Sequence, residues 1–154
     1  MAENFFEIQN GYFTASEKNK VNNVNLIIKD QGEIVSLLGP SGIGKTTILR
    51  TIAGLQKLSK GKIKLRNKYL ASDKIHIEPE KRNVALSFQD NSLFPNYKVI
   101  DNINFGEKRS NGNGSSIDVK EIINLLRIEP ILQKFPHQIS AGEAQRVSLA
   151  RSLM

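Results

Sequence analysis

The chain has 154 residues, 39% of them hydrophobic and 24% charged, with a net charge of +7. That is long enough to bury a real core as one soluble domain. No run approaches the ~20 apolar residues a membrane helix needs, the start Met-Ala-Glu-Asn-Phe-Phe lacks the pattern of a signal peptide, and there is no cysteine for disulfide or thiolate chemistry. These features fit a cytoplasmic chain. The Lys and Arg residues are scattered, with no block of five or more. They read as a solvated basic surface and not as a focused patch for nucleic acid or an anionic membrane.

Phe5 to Gln9 alternates weakly and predicts a first strand, with Tyr12 and Phe13 following in a polar stretch. Val21 to Lys29 alternates better and predicts a second strand, closed by a turn at Asp30-Gln31-Gly32. Ile34 to Leu38 is a short apolar run of strand type. Then comes Gly39-Pro40-Ser41-Gly42-Ile43-Gly44-Lys45-Thr46-Thr47, which fits G-x-x-x-x-G-K-S/T. Thr46 to Ala53 follows as a helix, with Ile48, Leu49 and Ile52 at helical spacing and Gly54 as a stop. Strand, glycine loop and helix are the order that phosphate binding requires. Glycines let backbone N–H groups turn inward around an anion, and the helix start adds unpaired N–H groups and a positive dipole end. Lys45 is placed to reach the β- and γ-phosphates, and the Thr46 hydroxyl to hold Mg²⁺.

Downstream, Lys60-Gly61 marks a turn, and Ile63 and Leu65 alternate with Lys62 and Lys64 as a strand with one wet face. Val84 to Phe88 predicts a buried strand in the same sheet as Ile34 to Leu38, ending at Gln89. Asn91 to Tyr97 is loop around Pro95, and Val99 to Phe105 a short helical segment. Arg109 to Ser116 has no apolar residue and reads as a flexible surface loop. Asp118 with Glu121 opens a helix whose stripe is Val119, Ile122, Ile123 and Leu126. Ile131 to Phe135 predicts another helical turn, stopped by Pro136. Ser140 and Glu143 then have capping-box spacing at the start of a last helix that continues through Val147, Ala150 and Arg151. His137 reads as structural, and His76 lies in a polar loop with no role assigned.

Three stretches now line up in order and spacing, and with them the chain resembles the nucleotide-binding domain of ABC transporters. They are the phosphate loop, Ser87-Phe88-Gln89-Asp90 with Leu93-Phe94-Pro95 (similar to the glutamine loop), and Ile139-Ser140-Ala141-Gly142-Glu143 with Ala144-Gln145-Arg146-Val147 (similar to the LSGGQ signature). The resemblance runs from Phe6 to Met154 and is strongest to importer ATPases for polyamines, iron, thiamine and related solutes. It implies an α/β fold: a P-loop NTPase core of ABC type with an N-terminal antiparallel β-subdomain and a small helical subdomain. On that pattern residues 1–95 hold the β-subdomain and P-loop core and 96–154 the helical subdomain with the signature. The C-terminal part of the core is absent, because the chain stops before the family's Asp-Glu strand and histidine loop.

The resemblance also implies the site. ATP would lie on Gly39, Ser41, Gly42, Gly44, Lys45, Thr46 and Thr47, with Thr46 and Gln89 on Mg²⁺ and Lys45 and Gln89 as the catalytic contributors. Ser140 and Gly142 would meet the γ-phosphate bound by a second nucleotide-binding subunit in a head-to-tail dimer. An aromatic residue upstream of the phosphate loop would stack on adenine, with Phe13 or Tyr12 as candidates. Ala141 stands where the family has Gly, and Glu143 where it usually has Gln. The leading function is the ATP-binding subunit of an ABC importer, or its N-terminal piece, working with a transmembrane permease at the inner face of the cell membrane and with no nucleic acid. The alternatives are a nucleotide-binding fragment without turnover and a soluble ABC-type ATPase acting on nucleic acid.

Overall fold

β1 (Phe6–Thr14), β2 (Lys20–Ile28), β3 (Lys60–Leu65) and β4 (Lys68–Ser72) form one antiparallel sheet in the order β2-β1-β3-β4. This computed structural model describes residues 3–14, 20–88, 92–107 and 118–154. The chain divides into two compact units, Met1–Val84 and Ala85–Met154, and each is taken by itself below.

In the first unit, Phe6 and Ile8 point into the core, as alternation along β1 requires. The strand does not stop where the sequence turns polar. Asn10 takes φ 47°, and the pairing register shifts on both sides of Gly11. This bulge adds one residue and reverses which positions face inward, so Gly11 and Phe13 are buried while Tyr12 faces out. Gly11 is required there: a Cβ would lie 2.7 Å from both Ile8 and Phe13. The Asn25 side chain accepts the Asn10 N–H at 2.9 Å and holds the bulge.

The core joins Phe6, Ile8 and Phe13 to Ile63, Leu70 and Ala71 of the β3–β4 hairpin and to Ile48 of helix α1 (Lys45–Ile52). The hairpin closes through Arg66 and Asn67, Arg66 having φ 51°. β4 has no place in the sequence reading. On the wet face, the Lys60 Nζ lies 5.7 Å from the Tyr12 ring centre and the Lys64 Nζ 4.6 Å from that of Tyr69.

Two predicted strands are not strands. Ile34 to Leu38 and Val84 to Phe88 pair with nothing among the described residues. Ile34 is 95% and Leu38 88% exposed. The reason is physical: a central parallel strand is held by ladders on both edges and by helices on both faces. An apolar run without those neighbours has nothing to pair with. The predicted turn before it does form, with the Glu33 carboxylate accepting the Lys29 and Asp30 N–H groups at 2.9 and 2.7 Å.

The second unit packs helices α2 (Val99–Glu107), α3 (Val119–Leu126) and α4 (Ala141–Leu153) around Val99, Ile103, Ile122, Ile128, Ile131 and Val147. The Asp118 side chain accepts the Lys120 N–H and caps α3 as expected, and Arg127 in the left-handed region ends it. The predicted turn at 131–135 is two 3₁₀ turns instead, Glu129–Ile131 with Pro130 in second place and Pro136–Gln138 with its proline first. Gln89 and the Arg109–Ser116 stretch lie outside the described residues.

Asn102 is fully buried on α2 and ties down the segment before it. Its oxygen accepts the Phe94 N–H at 2.8 Å, and its amide donates to the Phe94, Tyr97 and Lys98 carbonyls at 3.1 to 3.2 Å. Replacing it with Ala removes the side-chain partners of the Phe94 N–H and the Tyr97 carbonyl. Asn102→Ala should therefore destabilise this unit by about 2–4 kcal/mol, read as a lower midpoint in chemical denaturation followed by far-UV circular dichroism.

Candidate functional site

The phosphate-loop stretch is an exposed arch from Gly39 to Ile43 that runs into α1. Gly44 is the N-cap of that helix and has φ 106°, a conformation other residues adopt only at a cost. A Cβ there would also run into the Val21 side chain of β2. The glycine thus lets the sheet press directly on the loop and fixes where the helix begins.

With glycine as cap, α1 has no side-chain cap and no acidic residue in its first turn. Its leading N–H groups are left for a ligand, and its dipole favours an anion. The Lys45 side chain folds back over the arch, and its Nζ donates to the Gly39 and Pro40 carbonyls at 2.6 and 2.7 Å. An ammonium thus rests on two carbonyls of the arch, beside the uncapped helix start. The Thr46 side chain is exposed on the same turn, and Thr47 is nearly buried at 8%. The structure therefore brings Gly39, Ser41, Gly42, Gly44, Lys45, Thr46 and Thr47 together in one local arch and turn.

Phe13 is a correction. It is 0% exposed, enclosed in the sheet core. The bulge at Asn10 turns it inward, so its ring faces are not open to a base. Tyr12 is the outward neighbour, but it lies against Lys60 on the wet face of the sheet.

In the second unit, Ser140 caps α4 with the predicted box. The Ser140 Oγ accepts the Glu143 N–H at 3.3 Å, and the Glu143 carboxylate accepts the Ser140 N–H at 2.7 Å and its hydroxyl at 2.8 Å. Ala141 and Gly142 are exposed beside it, and a Cβ at Gly142 would meet only Arg146, at 3.9 Å. The backbone and side-chain bonds from Ser140 hold the Glu143 carboxyl below its ordinary value. The same carboxylate occupies the Ser140 N–H and hydroxyl.

Two residues that sequence reasoning missed shape the segment after Gln89. Asn102 fixes Phe94, and Arg151 of α4 donates to the Ser92 carbonyl at 2.8 Å and lies 5.2 Å from the Phe94 ring centre. Phe94 packs on Tyr97 and Phe105 with ring centres 5.5 and 4.4 Å apart. Among the described residues no three His, Cys, Asp or Glu side chains gather to hold a metal, and no helix is long and apolar enough to cross a membrane.

The sequence profile of the family described as ABC transporter matches residues 21–154. The chain belongs to the ABC transporter family. It is 38% identical over 154 residues to the Fe(3+) ions import ATP-binding protein FbpC of Escherichia coli O157:H7, covering 99% of this chain and 43% of that protein. It is 43% identical over 133 residues to the spermidine/putrescine import ATP-binding protein PotA of Thermotoga maritima, covering 85% of this chain and 35% of that one. The chain thus spans less than half the length of these importer relatives. Its fold matches the ATP-binding cassette MJ0796, solved as a dimer bound to ADP and Pi, with a TM-score of 0.75 at 26% identity, over 96% of this chain and 68% of that one. A second match is cbiO1 from Clostridium perfringens, TM-score 0.77 at 24% identity, over 98% and 61%. The ABC ATPase fold is therefore that of this chain, with only part of the core represented.

The sign of the Glu143 shift sets a pH dependence. A carboxyl held down in the folded state stabilises the α4 cap above its unfolded value and ceases to as pH falls through the folded one. Acidification should therefore release the Ser140 amide and fray the first turn of α4, while Glu143→Ala should remove that pH dependence. Amide exchange at Ser140 across an acid titration checks this.

Proposed function

We propose that this chain is the nucleotide-binding part of an ABC importer's ATP-binding subunit. It binds MgATP and passes the energy of binding and hydrolysis to a membrane permease. The observation that carries this reading is the Lys45 ammonium over an arch whose helix start has no side-chain cap. On it, the arch amides take the phosphate tail, Lys45 leaves the Gly39 and Pro40 carbonyls for the β- and γ-phosphates, and Thr47 shapes the first turn. The Thr46 hydroxyl fits Mg²⁺, which is usually held by one or two protein ligands together with substrate phosphates. When bound, the ion neutralises phosphate charge. Gln89 is a second contributor to that site.

The importer relatives support the remainder. A second nucleotide-binding subunit would sit head-to-tail, its nucleotide meeting Ser140 and Gly142. The solute path would be supplied by a permease, and the protein would work in the cytoplasm at the inner face of the membrane. Residues 1–95 would form the β-subdomain and P-loop core, and 96–154 the helical subdomain.

Calorimetric titration tests the proposal. The wild-type chain should bind MgATP, and Lys45→Ala should weaken it by about 100-fold, the scale of losing a charge-assisted contact in a phosphate site. Equal binding by mutant and wild type contradicts the reading. Gly44→Ala, strained and pressed against Val21, should lose both phosphate affinity and thermal stability.

A further inference from the structure

Arg82 heads the fully buried side chains in size and is 1% exposed. It follows a 3₁₀ turn at Pro79–Lys81 and reaches into the end of α1. Its Nη1 donates to the Thr51 and Ile52 carbonyls at 2.8 and 2.9 Å, its Nε to the Ile77 carbonyl at 2.6 Å. Its Nη2 lies 3.2 Å from His76 Nδ1, which accepts because a guanidinium only donates. Thr51 and Ile52 are the last residues of α1, where a cation opposes the negative dipole end; the Thr51 carbonyl also accepts the Gly54 N–H at 3.1 Å, and the Ile52 carbonyl is held by Arg82. Gly54, at φ +89°, leaves the space: a Cβ would come within 2.5 Å of Arg82 Nε. Burial pushes the Arg82 guanidinium below its ordinary value, against the opposing pull of Glu78.

The bonds continue along the helix. The Thr51 hydroxyl donates to the Thr47 carbonyl at 2.8 Å, so a line runs from Arg82 through Thr51 to the turn that holds Lys45. α1 has only 8 residues, too few to stand alone, so what grips its two ends sets its direction. Val21 presses on the N-terminal end at Gly44, and Arg82 holds the other. We propose that Arg82 is a positioning residue for the phosphate loop. It aims the N–H groups of α1 by fixing the opposite end of the helix, without touching the nucleotide.

This inference rests on the nucleotide reading above, and the test separates the two. Amide exchange at residues 45–53 and MgATP affinity are measured on the full chain as wild type, Arg82→Met, Arg82→Lys and Ile63→Val. Ile63 is a core residue of β3 and serves as a control for general destabilisation. Arg82→Met should speed exchange across α1 and weaken MgATP about tenfold, as expected when the Ile52 carbonyl at the helix end loses its donor. Arg82→Lys, with the charge but fewer well-placed donors, should fall between Met and wild type. Ile63→Val, which trims the core beneath α1 but leaves the hydrogen bonds at its two ends, should lower the melting temperature and change both readouts less than Arg82→Met does. Wild-type exchange and affinity in Arg82→Met overturn the proposal, as does an equal affinity loss in Ile63→Val. If Arg82→Met does not fold, Arg82→Lys decides: an intermediate affinity supports the clamp and a wild-type one overturns it. If the wild type binds no MgATP, the nucleotide reading fails, and exchange across α1 judges the clamp alone.

Discussion

The contact between Val21 and the bare backbone of Gly44 governs the first unit. It is the point where the sheet touches the phosphate loop, and it exists only because residue 44 has no Cβ and accepts φ 106°. From it follow the start of α1, the direction in which its first N–H groups point and the position of Lys45. Removing hydrogen-bond capacity from a helix start normally destabilises it. Here the uncapped start is offset by the burial of Ile48 and Thr51, so the end that meets an anion is held by packing on the other side of the helix.

The bulge at Asn10 has a comparable reach. By reversing the inward face of β1 it places Phe13 in the core, a burial worth about 2–3 kcal/mol, and leaves Tyr12 on the solvent side. Phe13 therefore supports the floor on which α1 lies and not the base of a nucleotide.

Local signals in the sequence were legible, and long-range ones were not. The glycine spacing of 39–44, the helix at 45–52 and the Ser140–Glu143 box each depend on residues within four positions of one another. Their geometry follows from short-range sterics and capping. The bulge could not be read, because Asn10-Gly11 looks like the end of a strand and its partner Asn25 is fifteen residues away. The apolar runs at 34–38 and 84–88 have the composition of strands, but a parallel strand takes its stability from its neighbours. Arg82 follows Pro-Glu-Lys, a setting that reads as surface, and Asn102 sits in an ordinary polar position of a helix. Both are buried because of carbonyls elsewhere that need donors, and a linear pattern does not show such needs.

The starts of α1 and α4 handle the same electrostatics in opposite ways. α1 begins on a glycine with its donors uncommitted, whereas α4 begins on a serine whose hydroxyl and N–H are taken by Glu143. A phosphate approaching α1 displaces only the lysine's own carbonyl contacts. At α4 it must displace a carboxylate of its own charge sign, and burial does not help the exchange, because Ser140 is exposed. On the proposed function, affinity for a nucleotide would therefore reside in the first unit. The second can add to it only once something draws Glu143 off the cap, such as a phosphate already held in place by another surface. That order, tight capture first and a weaker second contact afterwards, is what a head-to-tail sandwich of two such chains would need.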